Sequence, residues 1–176
     1  MTAPAQDRRP PLAGKRILVT RAPHQASELA DRLRALGATP VLIPTIEIAP
    51  PSSFAALDAA LSQLGSFNLV AFTSANGVSA FSDRAKLLGI ELTASLAPPR
   101  RIAVVGPSTA RAVEGIGFKV DVMPPAVFTA ESLAETLQPD AAGRHVLLVL
   151  AEDAPPFLRD ALAAAGADVT IAAAYS

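Results

Sequence analysis

Apolar positions along the chain follow two rhythms. Seven short runs have the length and composition of strands: Arg16–Thr20, Pro40–Pro44, Asn68–Thr73, Arg101–Val105, Lys119–Met123, His145–Leu150 and Asp168–Ala172. Several of them are apolar on both faces, which is the pattern of strands covered from two sides in parallel sheets. Between the runs the spacing changes to that of amphipathic helices. From His24 to Leu36, the residues Ala26, Leu29, Ala30, Leu33 and Leu36 share one helical face. Gly37 then stands where a helix-ending residue is expected. Phe54–Leu64, Asn76–Leu88 and Pro155–Ala165 are helical in pattern and each precedes a glycine; Ser108–Gly115 and Ala130–Leu137 complete the set.

Strand and helix alternating at roughly 25-residue intervals predict an α/β fold with an open parallel sheet. Residues 54–172 hold enough elements for a complete five-strand, doubly wound, flavodoxin-like domain. Pro50-Pro51-Ser52-Ser53 marks a linker over 48–53. Residues 14–47 then form a single βαβ unit, an incomplete second α/β domain. One helix cannot cover both faces of two strands, and a segment this short rarely folds unaided. It must dock, pair with a second copy, or await elements from elsewhere. Residues 1–13, rich in Pro and Arg, read as a disordered tail.

Composition narrows the function. Of the 176 residues 51% are hydrophobic and 18% charged, enough for a core and too little charge for disorder. The net charge of −1, the absence of Trp and the single Tyr175 argue against nucleic acid as a partner. Without cysteine there is no thiolate metal site or disulfide, and His24 and His145 are too far apart in sequence to suggest a ligand pair. No metal and no cofactor is expected. The N-terminus is not a signal peptide and no apolar run spans a bilayer, so no membrane contact and a cytoplasmic location are expected.

Ligands of open α/β sheets bind beyond the carboxyl ends of the strands. Those ends carry Thr20-Arg21, Thr73-Ser74-Ala75-Asn76-Gly77, Gly106-Pro107-Ser108-Thr109, Phe128-Thr129 and Glu152-Asp153. Four of the five have a hydroxyl just ahead of a helix, where free amides and the helix dipole favour carboxylate or phosphate. Ser and Thr are also the preferred N-caps of any helix, so capping alone is the simpler reading of Ser74, Thr129 and Ser108 or Thr109. Arg21 stands open between an anion contact and solvation. Lys15-Arg16 and Arg100-Arg101 precede strands and read as solvated, and Glu152-Asp153 reads as charge at a helix N-terminus. Dinucleotide, P-loop and nucleophile-elbow motifs are missing, as are paired carboxylates for glycosidic chemistry.

Five segments together carry a resemblance: GKRILVTR at 14–21, LGATPVLIPTIEIAPP at 36–51, FTSANGV at 72–78, VVGPSTARAVEGIGFKVDVMP at 104–124 and FTAESLAETL at 128–137. Their order and spacing are similar to those of uroporphyrinogen-III synthases. The resemblance implies a cofactor-free enzyme of two α/β domains joined by paired linkers, monomeric in the family, with residues 173–176 beginning the return linker. It implies closure of the linear tetrapyrrole hydroxymethylbilane to uroporphyrinogen III, with inversion of the last ring and loss of water. Tyr175 would match the tyrosine that helps the hydroxyl leave, and Thr109 the cleft threonine. Ser74 with the amides of Ala75, Asn76 and Gly77, together with Ser108, Thr129 and Arg21, would hold the substrate's carboxylates. Where the family carries an Arg-Gly or similar pair, this chain has Ala151-Glu152, so that loop is expected to leave the substrate alone. The resemblance also implies a chain continuing beyond the tyrosine, so weak activity or none is expected from these residues alone. The rival expectations are a non-catalytic polycarboxylate- or tetrapyrrole-binding module and a degenerate fragment that self-associates through the βαβ unit.

Overall fold

In the computed structural model, residues 9–96 and 100–176 are described, those at 23–25 and 94 by backbone alone. The chain divides into two units, residues 1–48 and 49–176. Most of the tail expected over residues 1–13 lies outside the described residues. Residues 10–15 are held by turns, with the Leu12 amide donating to Leu36 O at 2.9 Å.

In the first unit, β1 (Arg16–Val19) and β2 (Thr39–Leu42) pair in parallel, connected by α1 (Pro23–Ala35). Pro23 supplies the fixed φ of a first helical position. Gly37, at φ 87°, takes the left-handed turn that ends the helix, and a Cβ there would lie 2.6 Å from Pro10 Cβ. Ala26 and Ala30 of α1, with Val19, Ala22 and Ala38, are buried. Alternation sends Leu18 and Ile43 to the other face, where they are 58% and 52% exposed. One helix covers one face, which is the packing shortfall that the length of this unit implies.

The second unit contains α2 (Ala55–Ser62), β3 (Leu69–Phe72), α3 (Ala75–Leu87), α4 (Leu92–Ser95), β4 (Arg101–Val104), α5 (Pro107–Gly115), α6 (Ala130–Leu137), β5 (His145–Ala151), α7 (Phe157–Ala164) and β6 (Asp168–Tyr175). Its four strands run parallel in the order β4-β3-β5-β6. Side chains alternate across the sheet. Val70, Phe72, Leu147 and Val149 join Leu57, Leu61, Val78, Phe81 and Val113 from α2, α3 and α5. Leu69, Ala71, Val146 and Leu148 join Leu133, Leu137, Leu158 and Leu162 from α6 and α7. The sheet is therefore covered on both faces, and β3 is buried at every position. The rings of Phe72 and Phe81 meet edge to face at 5.3 Å.

Several elements differ from expectation. Lys119–Met123 is no full strand: among the described residues it adds one bridge, Ala103 to Val122, at the open edge of β4. The Asp121 carboxylate accepts the Ile102 amide at 2.8 Å. That side chain satisfies a donor a fifth strand would otherwise take, and Pro124-Pro125 follow at once with no amide to donate. The last strand runs past Ala172 to Tyr175. Helix α7 begins at Phe157 rather than Pro155, after Pro156, so Glu152 lies outside its first turn. The short α4 has no counterpart in the expected elements.

Candidate functional site

Strand order places a topological switch between β3 and β5. From β3 the chain moves outward to β4; β5 then returns on the other side of β3. A crevice opens at the carboxyl ends where connections diverge in this way. Phe72 ends β3 and Ser74 follows it. Ser74 is the N-cap of α3, in extended backbone, and its Oγ accepts the Gly77 amide at 3.0 Å. Ala75 and Asn76 are half-buried in the first turn, and Gly77 is buried. A Cβ on Gly77 would meet Ser74 Oγ at 3.2 Å and Val149 O at 3.5 Å, so the helix start lies directly against the end of β5.

Tyr175 arrives at the same point by an irregularity. Leu150 pairs with Ala173, but the next residue, Ala151, pairs with Tyr175, leaving Ala174 as an extra residue in β6. In regular alternation Tyr175 would share a face with Val169 and Ile171, on the α6 and α7 side. The bulge turns it to the α3 side instead. There its hydroxyl donates to Ser74 Oγ at 2.9 Å, and a Cβ on Gly77 would lie 3.8 Å from its ring. Ser74 Oγ thus accepts twice, once from the cap amide and once from the phenol.

The neighbouring junction is α5. The Val105 amide donates to Phe72 O at 3.1 Å, so the ends of β3 and β4 are level. Gly106 precedes the helix without a side chain that caps it, and Pro107 brings no amide. Among the described residues, no N-cap side chain serves the first-turn amides of Ser108 and Thr109. Ser108 is exposed; Thr109, at 2% exposure, faces protein. A Cβ on Gly106 would lie 2.9 Å from Phe128 Cβ, so the residue-128 loop rests on this junction. Thr129 next to it is exposed and caps α6 by accepting the Ser132 amide at 3.3 Å. Its hydroxyl and the residue's own backbone amide hold the Glu131 carboxyl below its usual value, the amide contributing more.

Glu152 closes the rim. Its amide donates to Tyr175 O at 2.8 Å. Its carboxylate accepts the Ser52 amide at 3.1 and 3.0 Å, and the Ser52 hydroxyl as well. The hydroxyl, then the amide, lower its pKa. Ala49 and Ser176 exchange backbone hydrogen bonds at 2.9 and 2.8 Å. Sequence reasoning missed Ser52 and the role of Glu152, which are 100 positions apart. Of the two basic pairs at strand starts, Arg100-Arg101 is not merely solvated: Arg100 donates to Gly65 O at 2.6 Å and Arg101 pairs with Asp140 at 3.2 Å. They lie at the opposite edge, away from the switch. Arg21 is exposed after β1 in the first unit. Among the described residues no group of three or more His, Cys, Asp or Glu could hold a metal ion, and no helix is long and apolar enough to cross a membrane.

The fold and its rim define a parallel α/β protein whose caps, amides and single tyrosine converge at the carboxyl edge of one sheet. The family model for uroporphyrinogen-III synthase HemD matches residues 27–176, and the chain belongs to that family. It is 42% identical over 137 residues to the uroporphyrinogen-III synthase of Synechococcus elongatus, covering 78% of this chain and 50% of that one. It is 33% identical over 142 residues to the porphyrin biosynthesis protein HemD of Ruminiclostridium josui, covering 81% of this chain and 25% of that one. Among solved structures, two of uroporphyrinogen III synthase from Thermus thermophilus share the fold. They have TM-scores of 0.65 and 0.59 at 22% and 26% identity, over 92% of this chain and 62% and 61% of theirs. The chain spans half the length of the Synechococcus relative and less of the Ruminiclostridium one. The resemblance carried by the five sequence segments is borne out.

Proposed function

We propose that the chain takes part in closing hydroxymethylbilane to uroporphyrinogen III, with the carboxyl edge of the second unit as the substrate surface. The contact between Tyr175 and Ser74 carries this reading, because it sets an ionisable hydroxyl beside helix termini suited to carboxylates. The uncapped first turn of α5 and the first turns of α3 and α6 would receive the substrate's carboxylates. With its ends so held, the linear chain curls, and the reacting carbons meet in one orientation. Tyr175 supplies a proton to the departing hydroxyl as the carbon–oxygen bond breaks and water leaves, and the ring carbon that takes up the new bond gives back a proton that restores the phenol. In the unliganded chain that proton points to Ser74; substrate hydroxyl would compete for it. Ser74 keeps the phenol in place, and Thr109 supports the α5 turn from within. The reaction so drawn calls on no cofactor, and a cytoplasmic setting suits it. The exposed face bearing Leu18 and Ile43 is where self-association would occur.

The test is incubation of the chain with hydroxymethylbilane and separation of the isomers. Type III above the no-protein control supports the proposal. Type I alone at every protein concentration refutes it. The rival, a tetrapyrrole-binding module, predicts calorimetric binding of uroporphyrinogen without any change in isomer ratio.

A further inference from the structure

Beyond the bulge at Ala174, the edge strand β6 keeps one ladder pair, Tyr175 opposite Ala151. Tyr175 is also held on Ser74. The residues that hold it form a closed ring of contacts. Glu152 donates its amide to Tyr175 O, and its carboxylate grips Ser52 by amide and hydroxyl. Three residues before Ser52, Ala49 is doubly hydrogen-bonded to Ser176, the neighbour of Tyr175. The Glu152 side chain thus ties the segment at 49–52 to the end of β5.

We propose that Glu152 is a positioning residue, which clamps Ser52 so that the end of β6 keeps the Tyr175 hydroxyl on Ser74. The part of this that concerns ring closure rests on the reading of Tyr175 above; the clamp itself does not. It assigns a use to the acidic residue that stands where a contact to a polycarboxylate would be unfavourable. The carboxylate points its charge at an amide and a hydroxyl of the chain. A glutamine can keep one oxygen on Ser52, whereas alanine keeps none.

Tyr175 is the only tyrosine and there is no tryptophan, so the long-wavelength fluorescence of the chain reports this ring alone. Acrylamide quenching is measured for the wild type, Glu152→Ala and Glu152→Gln. Circular dichroism confirms that both variants fold; the side chain is exposed, so folding is expected. The clamp predicts that quenching rises about twofold in Glu152→Ala as the strand end opens locally. Glu152→Gln stays near the wild type. Ser52→Ala, which retains the amide, falls between, and the double variant Ser52→Ala/Glu152→Ala is no worse than Glu152→Ala. Unchanged quenching in Glu152→Ala overturns the proposal, as does an equal rise in Glu152→Gln. In the isomer assay, kcat in Glu152→Ala is expected to fall about tenfold with KM within about twofold, and Glu152→Gln restores it. If quenching rises while type III formation stays at the wild-type rate, the clamp stands and the role given to Tyr175 falls.

Discussion

The contact between Ser74 and Tyr175 yields a quantitative test through a double-mutant cycle. Ser74 Oγ accepts from Gly77 N at 3.0 Å and from Tyr175 Oη at 2.9 Å. Removing an N-cap oxygen costs about 1 kcal/mol. Losing a half-buried neutral hydrogen bond costs about 1 kcal/mol more. Ser74→Ala should therefore cost about 2 kcal/mol, the sum of a cap and a phenol partner. Tyr175→Phe leaves the cap intact and should cost about 1 kcal/mol. Once Ser74 is gone the phenol has no partner, so the double variant should cost no more than Ser74→Ala, a coupling of about 1 kcal/mol. At roughly 4 °C per kcal/mol for a unit of this size, the melting shifts are near 8, 4 and 8 °C. Unfolding is followed by circular dichroism, since Tyr175→Phe removes the fluorophore. Strict additivity, with the double variant about 1 kcal/mol below Ser74→Ala, would refute the contact and the bulge geometry that creates it.

Other perturbations probe the frame and the rim. Phe81→Ala empties a fully buried site beside Phe72 and should cost about 3–5 kcal/mol by denaturant midpoint; a loss under about 1 kcal/mol would contradict the packing. Gly106→Ala brings a Cβ within 2.9 Å of Phe128 Cβ and 3.1 Å of its Cγ, so a loss of about 1–3 kcal/mol is expected, relieved only in part by adding Phe128→Ala, which keeps the Cβ. The Glu152 carboxyl has its pKa lowered from 4.5 by Ser52. A depressed carboxyl contributes stability that is present above its unfolded pKa and lost as pH falls through the folded one. The wild type should thus lose its advantage over Glu152→Gln below about pH 4.5; a gap unchanged from pH 7 to pH 3 would count against the clamp.

Much of the second unit was legible in the chain. Apolar residues at successive positions of 69–72 and 146–150 marked strands buried on two sides. Gly89 and Gly166, like Gly37 in the first unit, are at positive φ and marked helix ends because only glycine takes that turn without strain. Ser74 and Thr129 proved to be caps, as their place before helices implies. The contact to Tyr175 was another matter. The stretch Ala172-Ala173-Ala174-Tyr175 has no alternation to betray a bulge, because alanine suits either face of a strand. Lys119–Met123 has the period of a strand, yet the Asp121 side chain occupies the amide that pairing would need. Thr109 carried the sign of an exposed helix start, but α5 turns it inward. Ser52 and Glu152 meet only through folding, so no local pattern could have joined them.

Substrate is proposed to lie along the carboxyl edge of the β4-β3-β5-β6 sheet. Amide shifts of the nitrogen-15-labelled chain, titrated with uroporphyrinogen III, test it without requiring turnover. Perturbations are expected to concentrate at Ser74, Ala75, Ser108, Thr129 and Tyr175, with strand starts near Arg101 and His145 unmoved. Shifts gathered at those starts, or none at saturating ligand, would contradict it.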